Sequence, residues 1–418
     1  ATPYHFPEPS RSLALFAPLR FNLLPSHTDA QRAPLHSSPQ RGGPPRPSVP
    51  IMRAALLADF PVHALPGFSH LPPAHSATWF VPLIHAWAEQ QTHDLHWISC
   101  TKHVHEERCI EHLGQTFHLL PRGRLSLAML GGFRSERRAI AAVIRQIQPD
   151  LLHAWGTEQG YARAALDHPL PHLLSMQGIL QSYCKASAMP LLTRIQARAE
   201  RRDLPRFSDI TVESPWGRDQ LRALAPNARI HLLEYGVNPS AFEITRQPDP
   251  GPLAVFVGTL NPLKGVDLLL RAFQDPRLAH VRLILIGDGP LRNSVSAPNI
   301  HFAGYRSHTE VLETLSRAWC LVHPTRADTS PNCVKEARVI GLPVVTTPNG
   351  GQTQYVTHRQ SGWIHQTDDL DGLIEGILFC TSSRETSLAL GAHHHPQTRT
   401  LLQPGRTAQA LTTLYQSR

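Results

Sequence analysis

The chain has 418 residues and a formal net charge of +8, and 41% of its side chains are hydrophobic. This length suffices for two domains with separate cores, and no apolar run reaches the roughly 18 residues that a membrane-spanning helix needs. The six cysteines are scattered without a CxxC pair, which argues against a disulfide framework and favours reduced thiols in the cytosol. The positive charge favours anionic partners, but it cannot distinguish nucleotides, lipid head groups and nucleic acids.

The first fifty residues contain eleven prolines, five arginines and only two acidic residues. Proline lacks the backbone N–H that helices and inner strands require, so residues 1–50 are predicted to be a disordered Pro/Arg-rich tail. They lack the charged, apolar and small-residue succession of a secretory signal. Met52 then opens a clear strand pattern. We therefore hypothesise that the functional protein starts near Met52.

From Met52 onward, apolar runs of strand length alternate with helical patterns. Strands are predicted at residues 54–58, 95–99, 151–154, 172–176, 210–213, 230–234, 254–258, 282–287, 320–323 and 343–347, and helices at 135–148 and 266–273. This alternation predicts an α/β fold with parallel sheets, which bind ligands at the carboxyl ends of their strands.

The Pro- and Gly-rich stretch at residues 246–252 is the predicted domain boundary. The expected division is a first domain over 51–245, a second over 246–395, and a C-terminal helix over 396–418 that packs back on the first domain.

Two loops of the second half follow predicted strands. Gly258 allows a tight turn, and Lys264 follows at the strand's carboxyl end, where a diphosphate could use its charge. A plain turn with a surface lysine stays open as the alternative. The segment from Gly287 to Pro290 lacks the dinucleotide fingerprint and is interpreted as structural, with Pro290 starting a helix.

The most informative segment is residues 323–351, HPTRADTSPNCVKEARVIGLPVVTTPNGG. Ser330 is predicted to cap a helix, with Pro331 at its first position. The backbone N–H groups of Asn332 and Cys333 would then point out of the helix N-terminus, which is a ready site for an anion.

Two acidic residues flank this helix tip: Asp328 precedes it, and Glu336 lies one turn into the helix. Carboxylates accept hydrogen bonds from sugar and ribose hydroxyls, while the helix amides take phosphates. The arrangement therefore favours a nucleoside diphosphate sugar. An ordinary capped helix with two solvated acids is the alternative.

These residues closely resemble the second domain of the retaining glycosyltransferases of the GT-B fold, family 4. The family's hallmark is an acid, seven residues and a glutamate, followed by small-x-G-x-PVV. Here it corresponds to Asp328, Glu336 and ARVIGLPVV. The resemblance is strong over residues 253–363 and weak in the first half, where it rests on residues 153–160, 173–180, 213–221 and 233–242.

The resemblance implies two Rossmann-like doubly wound domains facing a central cleft, and a hexosyl-type glycosyltransferase. The enzyme would move sugar from a nucleotide-diphosphate sugar to an acceptor hydroxyl with retention, in cell-surface polysaccharide or glycolipid synthesis. It further implies that Glu336 holds the ribose, that Asp328 holds hydroxyls of the transferred sugar, and that Lys264 neutralises the diphosphate. The remaining donor-side residues it implies are Gly67, Gly258, Thr259, Tyr305 (whose backbone would meet the base), Asn332 and Cys333.

Two positions depart from the family pattern. Thr259 stands where the family has an arginine, so that charge is missing or supplied by Arg326 or Arg292. Gln177 stands where the family has a histidine, and it can hydrogen-bond a hydroxyl but cannot act as a cation. These departures keep open the alternative of a non-catalytic nucleotide-sugar-binding regulatory protein. A nucleotide-sugar epimerase of similar architecture is a further alternative.

The acceptor, a glycan or glycolipid, is expected to meet His153, Trp155, Glu158 and Gln177, although a local structural role for Trp155 is an equal alternative. Neither a metal nor a cofactor is expected, because the histidines and cysteines do not meet zinc spacing. Nucleic-acid binding is not expected, since no aromatic stacking platform is recognisable. The arginine-rich segment 191–207 is either an amphipathic helix on an anionic membrane or a solvated face. The expected location is cytoplasmic, with peripheral contact at the inner membrane face in the first case.

Overall fold

The computed structural model describes residues 52–71, 77–90 and 93–417. The predicted tail over residues 1–50 lies outside the described residues. Within the described ranges, no helix is long and apolar enough to cross a bilayer.

The first half of the chain builds one eight-stranded sheet. In chain order its elements are β1 (Arg53–Leu57), α1 (Phe80–Gln90), β2 (Asp94–Thr101), β3 (Arg108–His112), β4 (Gln115–Pro121), α2 (Leu125–Leu130), α3 (Arg134–Ile147), β5 (Leu151–Trp155), α4 (Tyr161–Leu166), β6 (His172–Ser175), α5 (Leu180–Ala186), α6 (Leu191–Asp203), β7 (Asp209–Val212), α7 (Pro215–Leu224), β8 (Arg229–Leu232) and α8 (Ser240–Glu243). The strand order is β3-β4-β2-β1-β5-β6-β7-β8, and all neighbours are parallel except β3 and β4.

The second half builds a six-stranded sheet. Its elements are β9 (Leu253–Val257), α9 (Val266–Ala272), β10 (Arg282–Ile286), β11 (Ile300–Gly304), α10 (His308–Arg317), β12 (Cys320–His323), α11 (Asn332–Ile340), β13 (Val344–Thr346), β14 (Gly362–Ile364), α12 (Leu370–Cys380), α13 (Arg384–Ala392), α14 (His395–Leu401) and α15 (Pro404–Gln416). The order β11-β10-β9-β12-β13-β14 is parallel throughout.

Both faces of each sheet are buried, and this explains why the strands are continuously apolar. Side chains alternate along a strand, so Ala254 and Phe256 of β9 enter one core while Leu253 and Val255 enter another on the opposite face. In β1, Ala54 and Leu56 enter one core in the same way, while Ala55 and Leu57 enter another. Helices therefore cover both faces of both sheets, and the predicted pair of doubly wound domains is confirmed.

The last helix, α15, follows the second sheet in the chain but packs in a core of the first half. Leu411 and Tyr415 are buried there, and the Tyr415 ring lies 6.2 Å from that of Trp87 in α1. The stretch 246–252 lies between α8 and β9.

Two local features differ from the sequence prediction. The antiparallel hairpin of β3 and β4 was not predicted. The predicted helix start at Pro290 is wrong, since a turn continues there to β11. The structural interpretation of this segment is confirmed, because a β-carbon on Gly287 would lie 2.0 Å from the carbonyl oxygen of Gly258, and one on Gly289 would lie 2.5 Å from that of Leu260.

Candidate active site

The loop after β9 fixes the position of Lys264. The Asn261 side chain accepts the backbone N–H of Lys264 at 3.0 Å and so caps a short 3-10 turn. Gly265 then adopts a left-handed conformation with φ of 72°, where a β-carbon would lie 1.9 Å from the carbonyl oxygen of Pro324. Only glycine fits this close approach, and the fit holds the loop against the loop that follows β12.

Lys264 forms an ion pair with Asp328, and the side chains lie at the carboxyl ends of β9 and β12. The lysine Nζ is 2.5 Å from Asp328 Oδ2, and His323 Nε2 is 3.1 Å from the same oxygen. Burial alone would raise the pKa of Asp328, but the charge of Lys264 and the hydrogen bond from His323 outweigh it and hold the pKa below its ordinary value. Lys264 is therefore a partly buried, ion-paired lysine, and its role toward a diphosphate stays a prediction.

His323 orients this carboxylate, a role that the sequence did not reveal. The ring is buried at the end of β12, and its Nδ1 lies 3.6 Å from Cys333 Sγ. Burial lowers the pKa of His323, and burial also raises the pKa of the Cys333 thiol to about 12. A neutral imidazole that accepts from the thiol at Nδ1 and donates to Asp328 from Nε2 satisfies both contacts.

The tip of α11 is the place where the sequence predicted an anion site. The helix begins at Asn332, one residue later than predicted, and Pro331 occupies the cap position without a side-chain cap hydrogen bond. The prediction that Ser330 caps the helix is therefore wrong, because Pro331 has an extended backbone with ψ of 116°. In the described part of the chain, the N–H groups of Asn332 and Cys333 donate to no backbone oxygen, which leaves them available to an anion.

Glu336 is buried on α11 and hydrogen-bonds to a histidine. Its Oε1 lies 2.8 Å from Nε2 of His308, the first residue of α10. This hydrogen bond to Glu336 raises the pKa of His308 above its ordinary value. Tyr305 follows β11 and is 62% exposed. The assignments of ribose to Glu336 and of the base to the backbone at Tyr305 stay predictions.

The cationic position that the family fills with arginine is occupied by the exposed Thr259. Arg326 does not substitute for it, because its guanidinium pairs with Asp267 at 2.7 Å and with Asp368 at 2.6 Å. Arg292 pairs with a carboxylate of the neighbouring turn instead. Lys264 is thus the cation that the structure places beside Asp328.

The first half faces this site through Tyr183, which the sequence reasoning missed. Its hydroxyl lies 3.1 Å from Thr329 Oγ1, directly after Asp328 in the chain. Burial raises the pKa of Tyr183, and the charges of Asp328 and Glu158 act in the same direction. Ser214 adds a second contact by donating to the Thr329 carbonyl at 2.7 Å.

Glu158 and Gln177 come together behind Tyr183. Both are half-buried, and a β-carbon on Gly156 would lie 2.3 Å from Glu158 Oε2 and 3.6 Å from Gln177 Oε1. A β-carbon on Gly178 would lie 2.8 Å from Glu158 Oε1 and 3.0 Å from the Tyr183 ring. Burial raises the pKa of Glu158 despite backbone hydrogen bonds to its carboxylate. Two of the four predicted acceptor-side residues therefore adjoin the site.

The other two lie in the core, and that part of the prediction is corrected. His153 is fully buried, with Nδ1 2.5 Å from the Tyr415 hydroxyl and Nε2 2.7 Å from Ser175 Oγ. Trp155 is buried against it, with ring centroids 4.4 Å apart. The structural alternative given for Trp155 therefore holds, and the acceptor-side prediction for His153 is wrong. Gly67 is exposed in the loop after β1, and a β-carbon on it would meet no atom within 4 Å.

A buried ion cluster also joins the two halves. Lys335 of α11 is fully buried, and its Nζ contacts the carboxylates of Glu213 and Glu234, the latter at 3.0 Å. It also donates to the carbonyl of Tyr235 at 3.2 Å. Burial raises the pKa of Glu213 in spite of the lysine. The helix that carries Glu336 is thus fastened to the first half at the preceding residue.

Two doubly wound domains whose polar residues meet at the carboxyl ends of their strands define a protein of the GT-B class. The family model described as "Glycosyl transferases group 1" matches residues 251–382, and the model "Glycosyltransferase Family 4" matches residues 76–241. The chain belongs to this glycosyltransferase family, as its motifs predicted.

Similar proteins agree with this assignment. A GDP-mannose-dependent alpha-mannosyltransferase of Mycobacterium tuberculosis (strain CDC 1551 / Oshkosh) is 28% identical over 233 residues, which is 52% of this chain and 61% of that relative. The match thus spans about three fifths of the relative's length. The sucrose-phosphate synthase of Thermosynechococcus elongatus shares the fold with a TM-score of 0.72 at 17% identity, over 88% of this chain and 98% of that chain. HepE of Anabaena, solved in complex with UDP and glucose, has a TM-score of 0.62 at 14% identity, over 88% of this chain and 100% of that chain.

Proposed function

We propose that the protein transfers a sugar from a nucleotide-diphosphate sugar to an acceptor hydroxyl with retention of the anomeric configuration. The observation that carries this proposal is the Lys264–Asp328 pair beside the free amides of α11, opposite Tyr183 of the first half. A cation and helix-tip amides suit a diphosphate, and a desolvated carboxylate suits sugar hydroxyls. The mannosyltransferase relative, named for its GDP-mannose dependence, supports such a donor, as does the UDP and glucose bound by HepE.

The chemistry follows from where charge grows. As the bond between sugar C1 and the diphosphate oxygen breaks, negative charge develops on the departing diphosphate. Lys264 and the amides of Asn332 and Cys333 would stabilise that charge, and one preorganised stabiliser of this kind contributes about 3–4 kcal/mol. When Lys264 turns to the diphosphate, Asp328 keeps its hydrogen bond to His323 and can accept from sugar hydroxyls. No step in this scheme requires a metal ion.

The same site offers positions for the nucleoside and the acceptor. His308 engages Glu336 through Oε1, which leaves the second carboxylate oxygen to accept from ribose hydroxyls. Glu158 and Gln177 would bind the hydroxyl groups of a glycan or glycolipid acceptor. These assignments suit an enzyme of cell-surface polysaccharide or glycolipid synthesis.

The acceptor side also carries an apolar surface that suits a membrane-bound acceptor. Leu127 and Leu130 of α2 and Leu191 of α6 are each more than 60% exposed, and α2 packs against α6. Exposed leucines beside an arginine-rich helix are the features of peripheral binding to anionic membranes. Sedimentation with anionic vesicles at low salt tests this part, and substitution of Leu127 and Leu130 by Ser should reduce it.

A thermal-shift screen of UDP-, GDP- and ADP-sugars tests the donor, because a ligand that binds the native state raises its melting temperature. Incubation of the stabilising donor with acceptors, followed by NMR of the product's anomeric proton, tests transfer and retention. Stabilisation without transfer or donor hydrolysis would overturn the enzymatic proposal and favour a binding protein. Turnover that disappears with EDTA and returns with a divalent cation would overturn the metal-free scheme.

A further inference from the structure

A pocket of about 320 Å³ lies on the first half, away from the Lys264–Asp328 pair. It is formed by the end of α2, the start of α3, α4, the end of α6 and the 3-10 turn Leu204–Arg206 that follows α6. The lining residues are mostly basic: Leu130, Gly131, Gly132, Arg134, Arg137, Arg163, Asp167, Arg202 and Arg206. We refer to it as the arginine pocket.

Five arginines line the arginine pocket, and in the part of the chain that the structure describes only two carboxylates neutralise them. Arg137 makes a two-pronged pair with Asp167 at 2.7 and 2.5 Å. Arg163 and Arg202 share the buried Asp203, at 3.0 and 2.8 Å.

The remaining two arginines are not neutralised. Among the described residues, Arg134 and Arg206 have no carboxylate within 4 Å. The five cations and two anions therefore leave three positive charges around one pocket, and this surplus favours a ligand of negative charge.

Four of the five guanidinium groups, those other than Arg134, also have partners that hold them before any ligand arrives. Aspartates orient Arg137 and Arg163, and Arg206 donates to the carbonyl of Leu166 at 3.3 Å. Gly132, with φ of 63°, lets Arg163 approach so closely that a β-carbon there would lie 3.0 Å from its Nη1. Ordered forks of N–H donors lose little entropy on binding.

We propose that the arginine pocket binds a phosphate or diphosphate group. Several guanidinium forks that converge on one volume match the three or more acceptor oxygens of a phosphate, and arginine recognises phosphate bidentately. A single carboxylate would leave most of the donors and two of the surplus charges unmatched. The pocket is separate from the sugar-transfer residues, so it does not depend on the function proposed above.

The phosphate can be free in solution or carried on a lipid. The exposed Leu130 lines the arginine pocket, and the exposed Leu127 precedes it by three residues in α2, so a lipid phosphate would have apolar surface beside it. The two sources share one chemistry at the guanidinium groups and differ in whether vesicles are needed.

The test compares two double variants of the full chain. Arg134→Ala/Arg206→Ala removes the unpaired arginines of the pocket. Arg138→Ala/Arg201→Ala removes the same charge from exposed positions of α3 and α6 that do not line it, and so serves as the matched control. All four positions are exposed, and circular dichroism melts check that both variants fold.

Each protein is titrated with sodium pyrophosphate by calorimetry, and sedimented with vesicles of phosphatidylcholine with and without phosphatidic acid. We expect the affinity of the pocket variant to fall at least about tenfold for pyrophosphate, for phosphatidic acid vesicles, or for both. The reason is that hydrogen bonds between charged groups are stronger than those between neutral groups. The control should match the wild type. Loss confined to the pyrophosphate arm indicates a soluble phosphate, and loss confined to the vesicle arm indicates a lipid phosphate.

Equal affinities in all three proteins would overturn the proposal, and so would equal losses in both variants, since those would report net charge alone. Pyrophosphate held at the Lys264 site is common to all three proteins and cancels in the comparison. Thermal shifts by nucleotide sugars should be unchanged in the pocket variant. Failure of the sugar-donor proposal is therefore distinguishable from failure of this one.

Discussion

Replacing Lys264 by Ala should affect stability as well as activity, and a double variant separates the two effects. The substitution leaves the buried Asp328 with His323 as its remaining partner. The double variant Lys264→Ala/Asp328→Asn removes both charges, and the asparagine can still accept from His323. The single variant should therefore be unstable and inactive, and the double variant stable and inactive.

The magnitude follows from the geometry of the pair. At 2.5 Å, unit charges in a medium of effective dielectric about 20 attract by about 7 kcal/mol. Part of that energy offsets the desolvation of the carboxylate, and breaking one partner of a buried pair costs about 3–5 kcal/mol in practice. The lysine side chain retains 23% exposure, so we expect about 3 kcal/mol for the single variant. The double variant should lie within about 1 kcal/mol of the wild type.

Urea denaturation of the wild type, the two single variants Lys264→Ala and Asp328→Asn, and the double variant gives the coupling energy between the two side chains. This energy should be at least about 2 kcal/mol. Turnover with the donor found by thermal shift should fall about 10²–10³-fold in both variants that lack Lys264. Unchanged stability of the single variant would refute the buried-pair argument. Turnover that recovers together with stability in the double variant would refute the electrostatic role, because folding alone would then explain the loss.

Three further predictions concern buried charges elsewhere. Burial raises the pKa of Glu200 to about 7, above the value of 4.5 expected for the unfolded chain. The free energy of unfolding should therefore fall as pH rises between these two values, by up to about 1.4 kcal/mol per pH unit. In urea titrations from about pH 5 to 7.5, the Glu200→Gln variant should not show this decrease. Lys335→Met should lower the free energy of unfolding by about 3–5 kcal/mol, and adding Glu213→Gln should restore part of it; a single variant as stable as the wild type would contradict this. Because the pKa of His308 is raised, its pairing with Glu336 stabilises the folded protein below about pH 6.5, and this stabilisation is lost as pH rises through the folded-state pKa. The His308→Gln variant should not show this pH dependence of the free energy of unfolding.

The fold was predictable because parallel strands that are buried on both faces have continuously apolar sequences. The run at residues 254–258 became β9, and that at 320–323 became β12 within a residue. The β3–β4 hairpin was not predictable in this way, since β3 is an edge strand with mostly exposed residues and carries no apolar run. Helix termini were the other weak point, as the cap at Pro331 shows.

The site was predictable where its residues share one short motif. Asp328 and Glu336 stand in one segment, and Lys264 follows a strand that the pattern places next to theirs. Tyr183 is 146 residues from its partner Thr329, and no local pattern signals that contact. His153 illustrates the reverse error, because it is the middle residue of β5 and its buried side chain contacts Tyr415 of the last helix instead of an acceptor.

Lys335 shows why the site and the contact between the halves cannot be treated separately. An isolated buried ammonium is costly, so it needs the carboxylates of Glu213 and Glu234, which the first half supplies. The adjacent Glu336 and the amide of Asn332 lie on the same rigid helix, so a shift of that helix moves all three together. The cost of separating Lys335 from its carboxylates therefore opposes displacement of the anion-binding helix tip from Tyr183. The family motif supplies the groups that would bind the donor, and the buried lysine within it holds them against the half that would bind the acceptor.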